Sequence, residues 1–354
     1  MKNKIITIIF LIYIFTIGIL GIVFKDKDIS LEERRTLEHV PKFTLDSEYI
    51  TKVDKYLLDQ FPFRNKFRSI KAFYNYNILG SLVNNDIYIK DNYIFKSEYP
   101  TNKKSINNFI NKTNNAIEIL TQDNNVYVMI IPDKNYYIDS KDFLSIDYDY
   151  LYNEVSNINA KFIDIRDIMQ LDDYYETDTH WKQERLGKVI KKMSEVIEFN
   201  YKDIEYDSKT YDKFYGVYYG ESAVNRKSEE LTYLINDIIL NSRVEYLENS
   251  KSNKVYSENK LTGMDAYDVY LDGASAFIEI YNGNSSSDKE LVVFRDSFGS
   301  SLTPLLINYY KKITLIDNRY IHSKYYLNKV DFKNQDILFM YSTLLVNNSG
   351  SLKG

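Results

Sequence analysis

The 354 residues carry Lys+Arg 45 against Asp+Glu 50, a formal net charge of -5, and no cysteine. The charge balance supplies no basic field for nucleic acid. The missing thiols exclude disulfides, thiolate metal sites and a cysteine nucleophile. A chain of this length fits one large α/β domain with insertions or two smaller domains, and it reads as a single domain behind an N-terminal anchor.

Lys2 and Lys4 precede an uncharged run from Ile5 to Phe24, rich in Ile, Leu, Phe and Val. About 20 such residues cross the ~30 Å of a bilayer's hydrocarbon, and no A-x-A-like cleavage site follows. Residues 1–24 therefore read as an uncleaved signal anchor, a single-pass transmembrane helix. The positive-inside rule leaves its lysines in the cytoplasm and places the rest of the chain at the cell surface. A surface protein without cysteine suits a bacterial envelope.

Residues 25–47 are charged and irregular, with Glu32-Glu33-Arg34-Arg35 and Pro41, and read as a stalk or strap. The domain is expected over residues 48–354. Val53, Tyr56, Leu57 and Phe61 predict a helix that Pro62 stops, and Phe67, Ile70, Phe73 and Tyr74 predict a second. Ile87 and Ile89, a turn at Asp91-Asn92, and Tyr93-Ile94-Phe95 predict a hairpin. Ile106, Phe109, Ile110, Thr113, Ile117 and Leu120 form an amphipathic stripe, followed by a buried-strand pattern over Val126–Ile131.

Further strands are expected at Phe162–Ile165, Leu291–Phe294, Ile313–Ile316 and Ile337–Tyr341, with helices at 186–197 and Leu302–Tyr310. This alternation predicts an α/β fold, a mainly parallel sheet with helices on both faces. The polar stretch at about 200–289 reads as a large insertion, partly strand, crossing the open end of the sheet. The Tyr 34 and Phe 19 counts suit stacking on sugar rings but read first as biased composition, and aromatic content alone names no ligand.

Three histidines are present, His39, His180 and His322, too few and too dispersed for a histidine-based metal cluster. His39 and His322 read as surface residues. His180 has Asp178 two residues before it and Trp181, the sole tryptophan, after it. In extended backbone, i and i+2 share a face, so Asp178 can fix the His180 tautomer and free Nε2 as a general base. Ser297 follows the strand Leu291–Phe294 on a turn into a helix, with Pro304 expected in the first helical turn. That is where open α/β sheets place their sites and where helix-start amides can hold an oxyanion. Either half alone is a chance pair or a helix cap. Together, at strand ends of one sheet, they form a candidate triad of Ser297 nucleophile, His180 base and Asp178 orienter.

Asp178-Thr179-His180-Trp181 resembles the DxHW signature of the DHHW and alginate O-acetyltransferase (AlgJ/AlgX-type) family, and Arg295-Asp296-Ser297-Phe298-Gly299 is similar to its GDS-like serine block. The resemblance extends to Glu33-Arg34-Arg35 through Pro41, Asp59 to Arg64, Val128 to Lys134 and Ile316 to Tyr320. It implies an SGNH-hydrolase-like, flavodoxin-like fold with the triad in permuted order, Asp and His before Ser. It also implies acetyl transfer through an acyl-enzyme to hydroxyls of an exported polysaccharide, without a cofactor or metal. The implied partner is a multispan membrane acyltransferase of the membrane-bound O-acyltransferase (MBOAT) type, because no acetyl-CoA pool exists outside the cell. Trp181, Tyr175, Arg295, Asn318 and Arg319 are auxiliary candidates. Thr179 stands where the family name has histidine, and no separate asparagine oxyanion block is identifiable. Should water accept the acyl group, the same site is an acetylesterase; a domain that lost the chemistry is a polysaccharide-binding or assembly protein.

Overall fold

A computed structural model describes residues 2–84, 86–120, 124–138, 141, 143–248 and 250–353. Lys2–Val23 is one helix, and its stretch Asn3–Val23 is apolar enough to cross a membrane, with none of that stretch buried against the rest of the chain.

Seven strands form the central sheet: β1 Asn125–Ile131, β2 Lys161–Phe162, β3 Arg243–Tyr246, β4 Phe277–Tyr281, β5 Glu290–Arg295, β6 Lys312–Ile316 and β7 Asp336–Ser342. Their spatial order is β3-β4-β6-β5-β7-β1-β2. The pairs β6/β5, β5/β7, β7/β1 and β1/β2 are parallel, while β4 runs antiparallel to both β3 and β6. Counted from β5 through β6 and β7 and then on to β1 and β2, the five parallel strands lie in the order 2-1-3-4-5. That is the flavodoxin-like order with the chain opened at a different point.

Period-two alternation divides the core. In β1, Tyr127, Met129 and Ile131 face one cluster, and Val126, Val128 and Ile130 face the other. β5 repeats the division with Leu291 and Val293 against Val292 and Phe294. One face is covered by Gly187–Ile197 and Gly299–Leu306, the other by Lys103–Leu120 and Tyr148–Val155. The stripe that predicts Lys103–Leu120 is the buried one, including Ile106, Phe109, Thr113, Ile117 and Leu120. Ile87–Lys90 and Tyr93–Lys96 pair as a hairpin around Asp91 and Asn92, which take φ 48° and 70° as a type I′ turn requires.

Three expectations are corrected. The helix after Ser297 spans Gly299–Leu306, so Pro304 lies inside it rather than in its first turn, and Ser300 O loses its helical amide donor. Of the strand expected over 162–165 only Phe162 lies in a strand of the sheet, where it is preceded by Lys161. The stretch 200–289 is not wholly outside the sheet, since β3 and β4 extend it at one edge. The rest of that stretch carries an antiparallel ribbon, Asp207–Phe214 with Glu229–Ile235, and the short helix Val217–Ser222.

Residues 25–47 begin against the domain. Ile29–Ser30 pairs with Arg35–Thr36, and Arg34 at their turn takes φ 53°. Arg35 donates to Asp59 Oδ2 at 2.8 Å, and Arg64 ion-pairs with Glu33. A Cβ added to Gly220 would stand 1.6 Å from Glu32 O, so glycine there lets the strap lie directly on the Val217–Ser222 helix.

Candidate active site

Ser297 sits on the turn between β5 and Gly299–Leu306, at the carboxyl end of the sheet. Its Oγ lies 2.8 Å from His180 Nε2, and His180 Nδ1 lies 2.6 Å from Asp178 Oδ1. With the Nδ1 proton on the Asp178 side, Nε2 accepts from the Ser297 hydroxyl. Ser297 is partly exposed, whereas Asp178 is completely buried.

The Asp–His geometry arises from a bend rather than the extended backbone expected. Tyr174 bridges Trp181, Tyr175 N donates to His180 O at 3.1 Å, and the intervening residues bend. Asp178 Oδ1 accepts both the His180 ring proton and the His180 amide, the latter at 3.0 Å. Such local carboxylate-to-amide bonding favours a turn over a strand.

The second Asp178 oxygen accepts from Val217 N at 2.8 Å and faces Arg34 Nη1 at 3.5 Å. Burial alone would raise this carboxyl, but the His180 ring and the Arg34 guanidinium hold it well below the usual carboxylate range. Arg34 also donates to Asp265 Oδ2 at 2.7 Å and to Tyr215 O. Gly216 permits the Val217 contact, because a Cβ there would stand 2.2 Å from Thr177 C.

Tyr267 stacks flat on His180, centroids 3.9 Å apart at 8°, and its hydroxyl donates to Ser301 Oγ at 2.8 Å. Beneath the bend, the buried Lys134 ammonium donates to Tyr175 O at 3.1 Å and Glu176 O at 3.0 Å. Glu229 accepts the amides of Glu176 and Thr177 at 2.8 and 2.7 Å. Burial pushes the Lys134 ammonium down, opposed by Glu229 and Asp178, and pushes the Glu229 carboxyl up. This opposed pair clamps the segment that leads into Asp178.

The turn carrying Ser297 is fixed by Asp296. One oxygen accepts Phe298 N at 3.0 Å, and the other accepts Ser342 N and Oγ from the end of β7 at 2.8 and 2.7 Å. The amides of Phe298, Gly299 and Ser300 bond within the turn, to Asp296 Oδ1, Asp296 O and Ser297 O at 3.0, 3.2 and 3.1 Å.

The auxiliary candidates separate. Trp181 is buried and ties the bend to the serine turn, its indole N–H lying 2.9 Å from Ser301 Oγ and 3.1 Å from Phe298 O. Tyr175 is buried behind the site against Phe214. Arg295 is buried and donates to Ser300 Oγ at 2.8 Å and Asp296 O at 3.2 Å. Arg319 forks onto Asp317 at 2.9 and 2.6 Å, and the Asn318 carbonyl accepts from Lys353 N at 2.8 Å; the partners of both residues lie away from Ser297. His39 and His322 are exposed. Among the described residues no group of three His, Asp or Glu side chains converges as metal ligands.

Sequence reasoning missed Arg34, Tyr267, Lys134 and Glu229 as site residues. Arg34 and Lys134 lie inside the stretches that carry the family resemblance, which was the available signal. Tyr267 and Glu229 belong to the polar insertion, where no local pattern marks them.

No protein-family model and no curated protein matches this sequence. Solved structures do match in three dimensions. A DHHW family protein from Eubacterium siraeum aligns at TM-score 0.64 with 19% identity, over 76% of this chain and 95% of that one. Bacillus cereus PatB1 aligns at 0.60 with 17% identity, over 73% and 96%. PatB1 with a sulfonyl adduct aligns at 0.58 with 18% identity, over 73% and 97%. The chain therefore has the mixed α/β, parallel-rich fold of the DHHW family protein and of PatB1.

Proposed function

We propose that this chain is a membrane-anchored O-acetyltransferase acting outside the cell on hydroxyls of an exported polysaccharide, with Ser297 as nucleophile, His180 as general base and Asp178 as its orienter. The observation that carries the reading is the line Ser297 Oγ, His180 Nε2, His180 Nδ1, Asp178 Oδ1, with contacts of 2.8 and 2.6 Å at the carboxyl end of the sheet. His180 takes the Ser297 proton as Oγ attacks the acetyl carbonyl, then returns it to the departing donor oxygen. A sugar hydroxyl gives its proton to the same Nε2, attacks the acyl-serine, and releases Ser297 Oγ, which recovers the proton.

The DxHW resemblance supports acetyl as the group transferred and a multispan membrane acyltransferase as its supplier. The apolar helix Lys2–Val23 supports placement beside such a partner. PatB1, which shares the fold, is known with a sulfonyl adduct, so a sulfonyl fluoride is the natural probe. The test combines the full chain with a small acetyl ester and oligosaccharide acceptors and follows acetylated sugar and free acetate separately by mass spectrometry. Ser297→Ala should abolish both products and the sulfonyl adduct. Unchanged turnover in that variant sinks the assignment. Free acetate without acetylated sugar, across acceptors, makes the enzyme an esterase.

A further inference from the structure

The apolar helix does not end in a free linker. Phe24 packs edge-on against Phe63 with ring centroids 5.6 Å apart, and a Cβ on Gly21 would stand 3.9 Å from Pro62 Cγ. Phe61 packs edge-on against Phe67 at 5.6 Å. The turn joining helices Ser47–Asp59 and Arg64–Phe73 thus touches the last turn of a helix whose side chains need hydrocarbon.

These two helices are solvent-facing on sides that water does not favour. Ser47–Asp59 buries no residue, and Arg64–Phe73 buries only Ala72. Phe67, Ile70 and Tyr74 recur at i, i+3 and i+7 along Arg64–Phe73 and its continuation, exposed by 38%, 61% and 51%, and Phe63, exposed by 48%, stands at the start of that helix in a left-handed backbone. Leu58, exposed by 67%, lies beside Phe61 and Phe67 and extends the patch. Contiguous exposed apolar surface of this kind marks an interaction site. Lys25, Lys27 and Lys66 stand beside it, around a cavity of about 670 Å³ at the junction, with the Lys66 ammonium 5.8 Å from the Phe63 ring. Amphipathic lysines suit the phosphate level, stems on apolar surface and charges in water.

We propose that helices Ser47–Asp59 and Arg64–Phe73, with the turn between them, lie in the outer-leaflet interface of the same membrane, a monotopic second contact that holds the domain down. The proposal rests on Lys2–Val23 spanning the bilayer and not on the chemistry of Ser297. Lipid is the occupant because of depth. The 21 residues Asn3–Val23 rise about 32 Å at 1.5 Å each, which puts Val23 and Phe24 where hydrocarbon ends and Phe63 beside them. Arg34, at the candidate triad, follows Phe24 by ten residues, at most about 35 Å of extended chain, so the site is tethered close to the leaflet.

The cysteine-free sequence permits a direct test. Single cysteines replace Ile12, Phe63, Ile70 or Lys333 in the full chain, which is reconstituted in phosphatidylcholine/phosphatidylglycerol vesicles and labelled with an environment-sensitive fluorophore. Lipids spin-labelled near the headgroup or deep in the chain serve as quenchers. Position 12 should be quenched at least twofold by the deep quencher, 63 and 70 at least twofold by the shallow one, and 333 by neither. Quenching at 12 with 63 and 70 behaving like 333 overturns the proposal while the anchor stands. No quenching at 12 removes the anchor and the proposal with it. Labels at 63 and 70 that ignore lipid quenchers but self-quench as protein per vesicle rises identify a second copy as the occupant, which also overturns it.

Discussion

Arg34 Nη1 lies 3.5 Å from Asp178 Oδ2, so the segment that follows the apolar N-terminal helix supplies a cation to the carboxylate behind the candidate base. Arg34 holds a left-handed backbone, φ 53°, uncommon for a residue with a Cβ and costing on the order of 1 kcal/mol or more. Its bonds to Asp178, Asp265 and Tyr215 O over-determine that conformation. The strap is therefore part of the site's wall as well as a connector.

Arg34→Met should lower acyl transfer about tenfold to a hundredfold, because the Asp178–His180 unit loses the contact that fixes its far oxygen. Stability should fall by about 2–4 kcal/mol, since Asp178 is left buried without its cation. Arg34→Lys should recover much of the stability and less of the activity, a lysine being unable to span Asp178, Asp265 and Tyr215 O at once. Steady-state kinetics and thermal melting of the three proteins separate the two effects.

Asp178→Asn keeps the shape and removes the charge that sets the His180 tautomer. The expected result is a fall in kcat of about 10³–10⁴-fold with KM nearly unchanged, by analogy with the same change in serine-protease triads. A loss below tenfold would show that His180 does not act with Asp178 as a unit.

Gly216→Ala tests the close approach of backbones. The added methyl would meet Thr177 C at 2.2 Å and must push Val217 N away from Asp178 Oδ2. A loss of about 2–4 kcal/mol is expected by overpacking, with activity reduced in the protein that still folds. Calorimetry with and without the substitution reads it directly.

Acid should loosen the strap first. The Arg35 guanidinium holds Asp59 down at about 2, against burial that would raise it, and Glu33 is likewise lowered: burial raises it, but Arg64 and Arg68 outweigh that. A carboxyl depressed in the folded state contributes stability that is complete above its unfolded value near 4 and is lost as pH falls toward about 2. Pepsin cleavage within residues 25–47 should therefore rise between pH 4 and 2. Asp59→Asn should show the cleavage already at pH 4 and flatten the dependence.

Much of the fold was legible because local periodicity records which faces are buried. The Ile106–Leu120 stripe and the alternation in Val126–Ile131 and Leu291–Phe294 each reappear as one face of an element packed on the sheet. The Asp178/His180 pairing was legible for the same reason, since two residues apart they meet by local geometry, though through a bend rather than a strand. Glu229 and Tyr267 were not legible: each is an ordinary polar or aromatic residue in an irregular stretch, and only packing against the bend gives it a role.

By itself, the sequence determined the apolar helix, the α/β alternation and the residue types a triad needs, since hydrophobic period, charge and side-chain chemistry are local properties. The tertiary structure decided that Ser297 meets His180 across 117 positions and that Arg34 reaches Asp178 across 144. Those meetings depend on strand order. The order 2-1-3-4-5, read from β5, brings the turn after β5 and the bend after β2 to one carboxyl edge. No local pattern encodes which strands are neighbours, because neighbours are chosen by the global packing of both faces.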